Sequence, residues 1–297
     1  MKPKLSVALL LMAAGGGALA TIPSVRNAAW QQLRSIAAPL FAQGDATDAR
    51  FDDFYADMVE RLPPQARAER ALELVLNRSL GAAEYVTANA ASWSGAIEAT
   101  PQLQSLVRAA LDAPRIETRM AAFEVFLAAY GLEKSVAQAD QLHARWTRNP
   151  AQNGPWAMWS LAMLAARGVD RERTYHALRA ALDESDVSLR RAAVDAFARM
   201  GGAETIDPLL SVAASDPSPI VRERAFCALA SSGTLLMAER YQAIPGLLHI
   251  ADVSSSDAQN RAWSYQALTE ISGLYDVPAD TAVWRERLDA VGLLTAQ

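Results

Sequence analysis

The chain has 297 residues, of which 51% are hydrophobic, enough apolar material for a large core, and it carries a net charge of −5 at pH 7. An acidic chain lacks the basic footprint expected of a nucleic-acid binder, and a single cysteine, Cys227, excludes an internal disulfide. Strand signals are scarce and Ala-rich helical stretches dominate, so the expected fold is all-α.

The chain opens with Lys2 and Lys4, then an apolar run from Leu5 to Met12 and a small-residue stretch ending Ala18-Leu19-Ala20. A basic start, an apolar centre and an A-x-A site make a secretory signal peptide, cleavable before Thr21. The same residues support a second reading. No charge occurs from Leu5 to Val25, and a transmembrane helix needs about 20 such residues. Basic residues ahead of the span would keep the N-terminus cytoplasmic and export the rest. Residues 1–25 are therefore a signal peptide or an anchor, and either places the bulk of the chain outside the cytoplasm. Beyond them Ala29, Leu33, Ile36 and Leu40 keep a helical stripe, so residues 26–43 read as a connecting amphipathic helix.

Residues 44–100 form an N-terminal helical region. Gly44-Asp45-Ala46-Thr47-Asp48 is a break with N-cap residues, and the next helix, over about 49–62, carries Phe51, Phe54 and Tyr55 and stops at Pro63-Pro64. A further helix covers about 65–79 with Ala71, Leu72, Val75 and Leu76 on one face, while residues 80–100 read as less regular, with a turn at Gly95.

From about residue 101 helical pairs continue to the end. Thr118–Phe126 lies in one helix, and another begins at Pro155-Trp156 and ends near Gly168. Between them Thr147–Pro155, rich in Asn, Pro and Gly, reads as the longest non-helical stretch and a candidate contact loop. Then three stretches rhyme: Leu189-Arg190-Arg191-Ala192-Ala193-Val194, Val221-Arg222-Glu223-Arg224-Ala225-Phe226 and, more loosely, Asn260-Arg261-Ala262-Trp263-Ser264-Tyr265. In the first, Leu189, Ala193, Ala196, Phe197 and Met200 make one helix face, which stops at Gly201-Gly202; Ile206, Leu209, Leu210 and Ala213 start another. A helix–turn–helix unit recurring every few tens of residues marks a stacked-repeat architecture, because neither helix buries its stripe alone.

These residues resemble the HEAT repeat, most closely around Ser215-Asp216-Pro217-Ser218-Pro219 followed by Val221-Arg222. The resemblance implies an α-solenoid of stacked helical pairs over residues 101–297, tied together by a ladder of turn Asp and following Arg. Asp216 and Arg222 match that pattern six residues apart; Asp186 and Arg190, and Asp257 and Arg261, are only four apart and depart from it. Asp276-Val277-Pro278 and then Val283-Trp284-Arg285 look like the closing turn and helix of bacterial HEAT proteins, with Trp284 covering the end of the core. The resemblance further implies that second helices line a binding face, which makes the non-core residues Arg191, Asp195, Arg199, Glu223 and Arg224 the expected contacts with a protein partner. Trp156 and Trp159 share a helix face as core or as a contact anchor.

Catalytic spacing is missing. His143, His176 and His249 are isolated, no zinc-ligand pattern or Gly-rich phosphate loop is present, and no G-x-S-x-G elbow occurs. No metal site or cofactor is expected, and Cys227, between apolar neighbours, reads as a buried inert thiol. Arg outnumbers Lys 25 to 3, which reads as genomic base composition. Some HEAT-like proteins are chromophore lyases, but beyond Cys227 no residue points that way. The expectation is a non-enzymatic interaction scaffold, exported and membrane-anchored, serving as accessory subunit of a larger membrane complex such as a respiratory or photosynthetic one. The alternatives are a soluble periplasmic adaptor freed by cleavage, and an enzyme with a site assembled across repeats.

Overall fold

A computed structural model describes residues 53–253 and 257–294. The predicted signal or anchor and the connecting helix over 26–43 lie outside the described residues. Within them the chain is helical, as its composition predicts. Helix α1 (Asp53–Glu60) and α2 (Pro64–Leu76) lead to α3 (Ala82–Asn89) and a 3-10 turn (Ala90–Trp93). Pairs follow: α4 (Pro101–Leu111) with α5 (Ile116–Ala129), α6 (Val136–Arg148) with α7 (Pro150–Ala165), α8 (Arg171–Ala181) with α9 (Val187–Met200), and α10 (Ile206–Ser215) with α11 (Pro219–Ala230). The short α12 (Met237–Tyr241) precedes the pair α13 (Ile244–Asp252) and α14 (Ala258–Ser272), and α15 (Thr281–Ala290) closes the described chain.

The boundaries follow local chemistry. The Thr100, Ser135, Asp186, Asp257 and Asp280 side chains each accept a backbone N–H of the first turn they precede. At the end of α7 Gly168 takes φ +79°, and the bonds from Gly168 to Ala165 and from Val169 to Leu164 close a Schellman motif.

Two segments differ from the sequence expectation. Residues 82–89 are a helix, because Ala82, Val86, Ala90 and Trp93 make a buried stripe against α5. Residues 150–155 belong to α7 and are not a loop. Asn149 caps the helix by accepting from the Gln152 N–H, Pro150 sits in the first turn, and Gly154 lets the helix approach Leu189 and Trp146 closely. The turn-forming residues serve a helix start, and Pro155 lies inside the helix without a backbone N–H to donate.

The second helices form a continuous row in which α7 packs on α9, α9 on α11 and α11 on α14. The core has two parts that meet on α7: Met158, Ala162 and Ala165 face the later repeats, while Leu161, Met163 and Leu164 face α2–α6. At the far end Trp284 of α15 is buried and stacks on Tyr265, 6.2 Å between ring centroids.

Buried rungs tie the repeats together. Arg190 of α9 donates to both carboxylate oxygens of Asp216 at 2.8 and 3.0 Å, and to the Glu184 and Ser185 carbonyls of its own turn. Arg222 of α11 repeats the arrangement one unit on, donating to its own turn at Asp216 O and to Asn260 Oδ1 and Asp257 Oδ2 of the next. Each rung therefore joins the Arg of one repeat to the turn of the following one. The four-residue spacing at Asp257 and Arg261 does not interrupt it, because Asp257 meets the Arg of the preceding repeat. Arg190→Ala should destabilise the chain by about 3–5 kcal/mol in urea unfolding, since it strands the buried Asp216 carboxylate. Arg222→Ala should cost less, because half of the Asp257 side chain is exposed.

Candidate functional site

The five residues expected from sequence to meet a partner do not share one environment. Arg191 on α9 and Glu223 on α11 are exposed. Asp195 is buried and accepts the Arg224 guanidinium from the next helix. Arg199 donates to the Asp195 carbonyl at 2.9 Å and lies over the Trp159 ring, 3.9 Å from its centroid. Burial pushes the Arg199 guanidinium down to about 10, against the opposing pull of Asp195, so it stays charged at neutral pH. The chain Trp159–Arg199–Asp195–Arg224 thus crosses α7, α9 and α11 and is built from contacts inside the protein, with the Trp159 Nε1–H and Arg199 Nε–H left without acceptors. Three of the five side chains brace the second-helix row and two remain open to solvent.

A second arginine system, not anticipated from sequence, closes helix ends. The last carbonyls of α9 all find donors: Gly201 N–H bonds Phe197 O, Thr234 N–H and Oγ1–H bond Ala198 O and Arg199 O, and Arg171 bonds Met200 O. Arg171 also donates to Ala165 O at the end of α7, to Gly201 O, and to the Glu204 carboxylate. Arg240, buried, donates to Ala228 O and Leu229 O at the end of α11 and to Ser232 O and Leu235 O of the following segment. Its burial pushes it down to about 10, so it too stays charged. From the N-terminal side Arg119 of α5 donates to Gly233 O, 114 residues away. A helix C-terminus carries partial negative charge and unpaired carbonyls, and a guanidinium satisfies several at once.

Between these helix ends and the N-terminal helices lies an open cavity of about 660 Å³. One wall is α3 and the start of α5, and the other is the ends of α7 and α9 with residues 234–239. Ile116, Met120, Ala166, Met200 and Leu236 make it largely apolar, while Glu84, Glu117, Glu239 and Arg171 supply its charges. Leu236 and the adjacent Met237 are about half exposed. The segments that build it are scattered along the chain, and one of them, 82–89, reads in sequence as irregular, so the cavity leaves no local motif.

His143 of α6 is buried beside Asp170, 3.4 Å from Nε2 to Oδ2, with its ring stacked near Trp146. Arg173 lies 3.6 Å from Asp170 and also pairs with Asp140. Burial and then the Arg173 charge hold the imidazole below its ordinary value, outweighing Asp170 and Asp140. Cys227 is half-buried on α11, and loss of hydration raises its thiol, which disfavours the nucleophilic thiolate.

Two outcomes follow. A base whose folded value is depressed favours folding in its neutral form, fully so above the unfolded value of about 6.5, and that contribution is lost as pH falls toward the folded value. Urea unfolding at pH 7.5 and pH 5 should therefore show a smaller acid loss of stability for His143→Gln than for the parent chain. At Gly233 the backbone is left-handed, φ +73°, and a Cβ would run into the Ala198 carbonyl. Gly233→Ala should cost at least about 2 kcal/mol, read as a lower thermal midpoint, from combined strain and loss of the α9 cap.

Comparison with known families agrees with this architecture. A family model described as HEAT repeats matches residues 155–230 and again residues 175–269, from within α7 to near the end of α14. No curated protein matches the sequence. HEAT repeats imply interaction with other proteins. Paired helices, inter-repeat rungs and this match together show that residues 155–269 are an array of HEAT repeats.

Proposed function

We propose that the chain is a non-enzymatic protein-interaction scaffold, exported and held at the outer face of the cytoplasmic membrane by residues 5–25, where it serves as accessory subunit of a larger membrane complex. The observation that carries the scaffold reading is the HEAT-repeat array, with an open, largely apolar cavity beside it. The charged side chains of the second-helix row support this: Asp195, Arg199 and Arg224 are spent on one another and on neighbouring helices, while Arg191 and Glu223 face solvent as contacts for a partner. Export and anchoring rest on Lys2, Lys4 and the uncharged span from Leu5 to Val25. Among the described residues no helix is long and apolar enough to cross a membrane, so the span carries that part of the proposal by itself. Respiratory and photosynthetic assemblies are settings of this kind.

The Ala18-Leu19-Ala20 site favours a second reading, a soluble periplasmic adaptor with transient partners. Gentle detergent extraction of native membranes, followed by native chromatography and mass spectrometry of the N-terminal peptide, separates the two. The expected outcome is a large particle containing the uncleaved N-terminal segment and a constant set of companion chains. A protein beginning at Thr21 in the soluble fraction would remove the anchor, and a chain that is always alone and monomeric would overturn the scaffold.

A further inference from the structure

We infer that the cavity between α3, α5 and the ends of α7 and α9 is a docking groove for an amphipathic segment of a partner protein, one whose apolar stripe is flanked by lysines and arginines. This deepens the scaffold reading and rests on it.

The walls set the shape of the occupant. The floor is apolar, with Ile116 and Met120 on the α5 side and Ala166 and Met200 opposite. It does not stop at the cavity edge. Leu236 at the rim is 52% exposed, and Met237, its neighbour in the chain, is 46% exposed and adds to the apolar surface there. A contiguous apolar surface of this kind marks an interaction site more often than chance exposure does. Met120, partly exposed, and Met237, about half exposed, give it adaptable side chains, which fill irregular gaps and accept different partners. A volume of about 660 Å³ would also suit a small ligand, but the exposed extension along Leu236 and Met237 has no role for one. It has a role for a helix that lays successive apolar residues into a groove.

The rim sets the charge of the occupant. Glu84 of α3 and Glu117 of α5 stand on one side and Glu239 on the other. Among the described residues the one cation in the lining, Arg171, is matched by Glu204 and by three carbonyls. Arg115 lies 3.5 Å from Glu117 with half of both side chains in solvent, and Glu239 accepts the Leu236 N–H at 2.8 Å, so neither carboxylate is removed from the rim. The lining therefore presents net negative charge around an apolar floor. Its complement is an apolar stripe with positive flanks, which gains both burial and electrostatic steering. An acidic or neutral apolar segment gains only the first.

The test uses the 297-residue chain and two synthetic helical peptides with the same leucine stripe, one carrying lysines on its flanks and the other glutamates at the same positions. Binding is read by fluorescence anisotropy. The lysine peptide should bind in the micromolar range, and more weakly as salt rises, while the glutamate peptide should not bind. Leu236→Asp, at an exposed position, should weaken the lysine peptide about tenfold. The double variant Glu84→Lys/Glu117→Lys should lose the lysine peptide and gain the glutamate one, a reversal that misfolding cannot produce. The groove assignment is overturned if neither peptide binds, if both bind alike, if the charge reversal changes nothing, or if a second copy of the chain or a small apolar dye occupies the site and blocks both peptides. The two readings fail separately: a native partner that stays bound to Leu236→Asp and to the double variant removes the groove and keeps the scaffold, and a chain with no native partner removes the scaffold.

Discussion

Every helix in a stack ends in carbonyls that its own backbone cannot satisfy, and where those ends are buried the protein must bring donors to them. This chain does so mainly with arginine. Arg171 serves the ends of α7 and α9, Arg240 the end of α11, Arg190 the turn that starts α9, and Arg119 the segment that itself caps α9. A lysine in any of these places would offer one compact charge where a planar fork now reaches two to four carbonyls. The predominance of Arg over Lys thus has a structural use here, whatever its origin in the genome.

The architecture was legible in the sequence because helical periodicity and the recurring Leu-Arg and Val-Arg starts are local signals. The stop at Gly201-Gly202, the helix starts at Asp186 and Asp257 and the burial of Trp284 all follow from residues next to one another. What a local pattern could not convey is which repeat a side chain reaches. The Asp–Arg spacing within a repeat varies between Asp216 and Asp257, yet Asp216 meets Arg190 and Asp257 meets Arg222. The rung depends on the reach of the preceding arginine. Likewise Asn149-Pro150 and Gly154-Pro155 are turn formers by composition, but beside Trp146 and Leu189 they start a helix.

The same limit governed the candidate site. Non-core positions on a second helix are expected to face a partner, and Arg191 and Glu223 are exposed as that rule requires. Asp195, Arg199 and Arg224 obey a different constraint, because their charges are used by groups of neighbouring elements: Trp159 lies under Arg199, Asp195 and Arg224 pair with each other, and Ser232 accepts from Arg224. The cavity was still less visible. Its walls come from α3, α5, the end of α9 and residues 234–239, and no periodicity relates segments so far apart.

A solenoid in which each unit touches only its neighbours unravels from either end, much as a one-dimensional chain of independent links does. The bond from Arg119 to Gly233 O breaks that simplicity. It joins the first helical pairs to the segment after α11, so the intervening repeats lie within a closed circuit whose formation requires a long chain to meet itself. Opening one repeat inside the circuit then disturbs the contact that holds its two ends. The contact adds a cooperative link of long sequence separation to an array otherwise held by neighbour-to-neighbour packing.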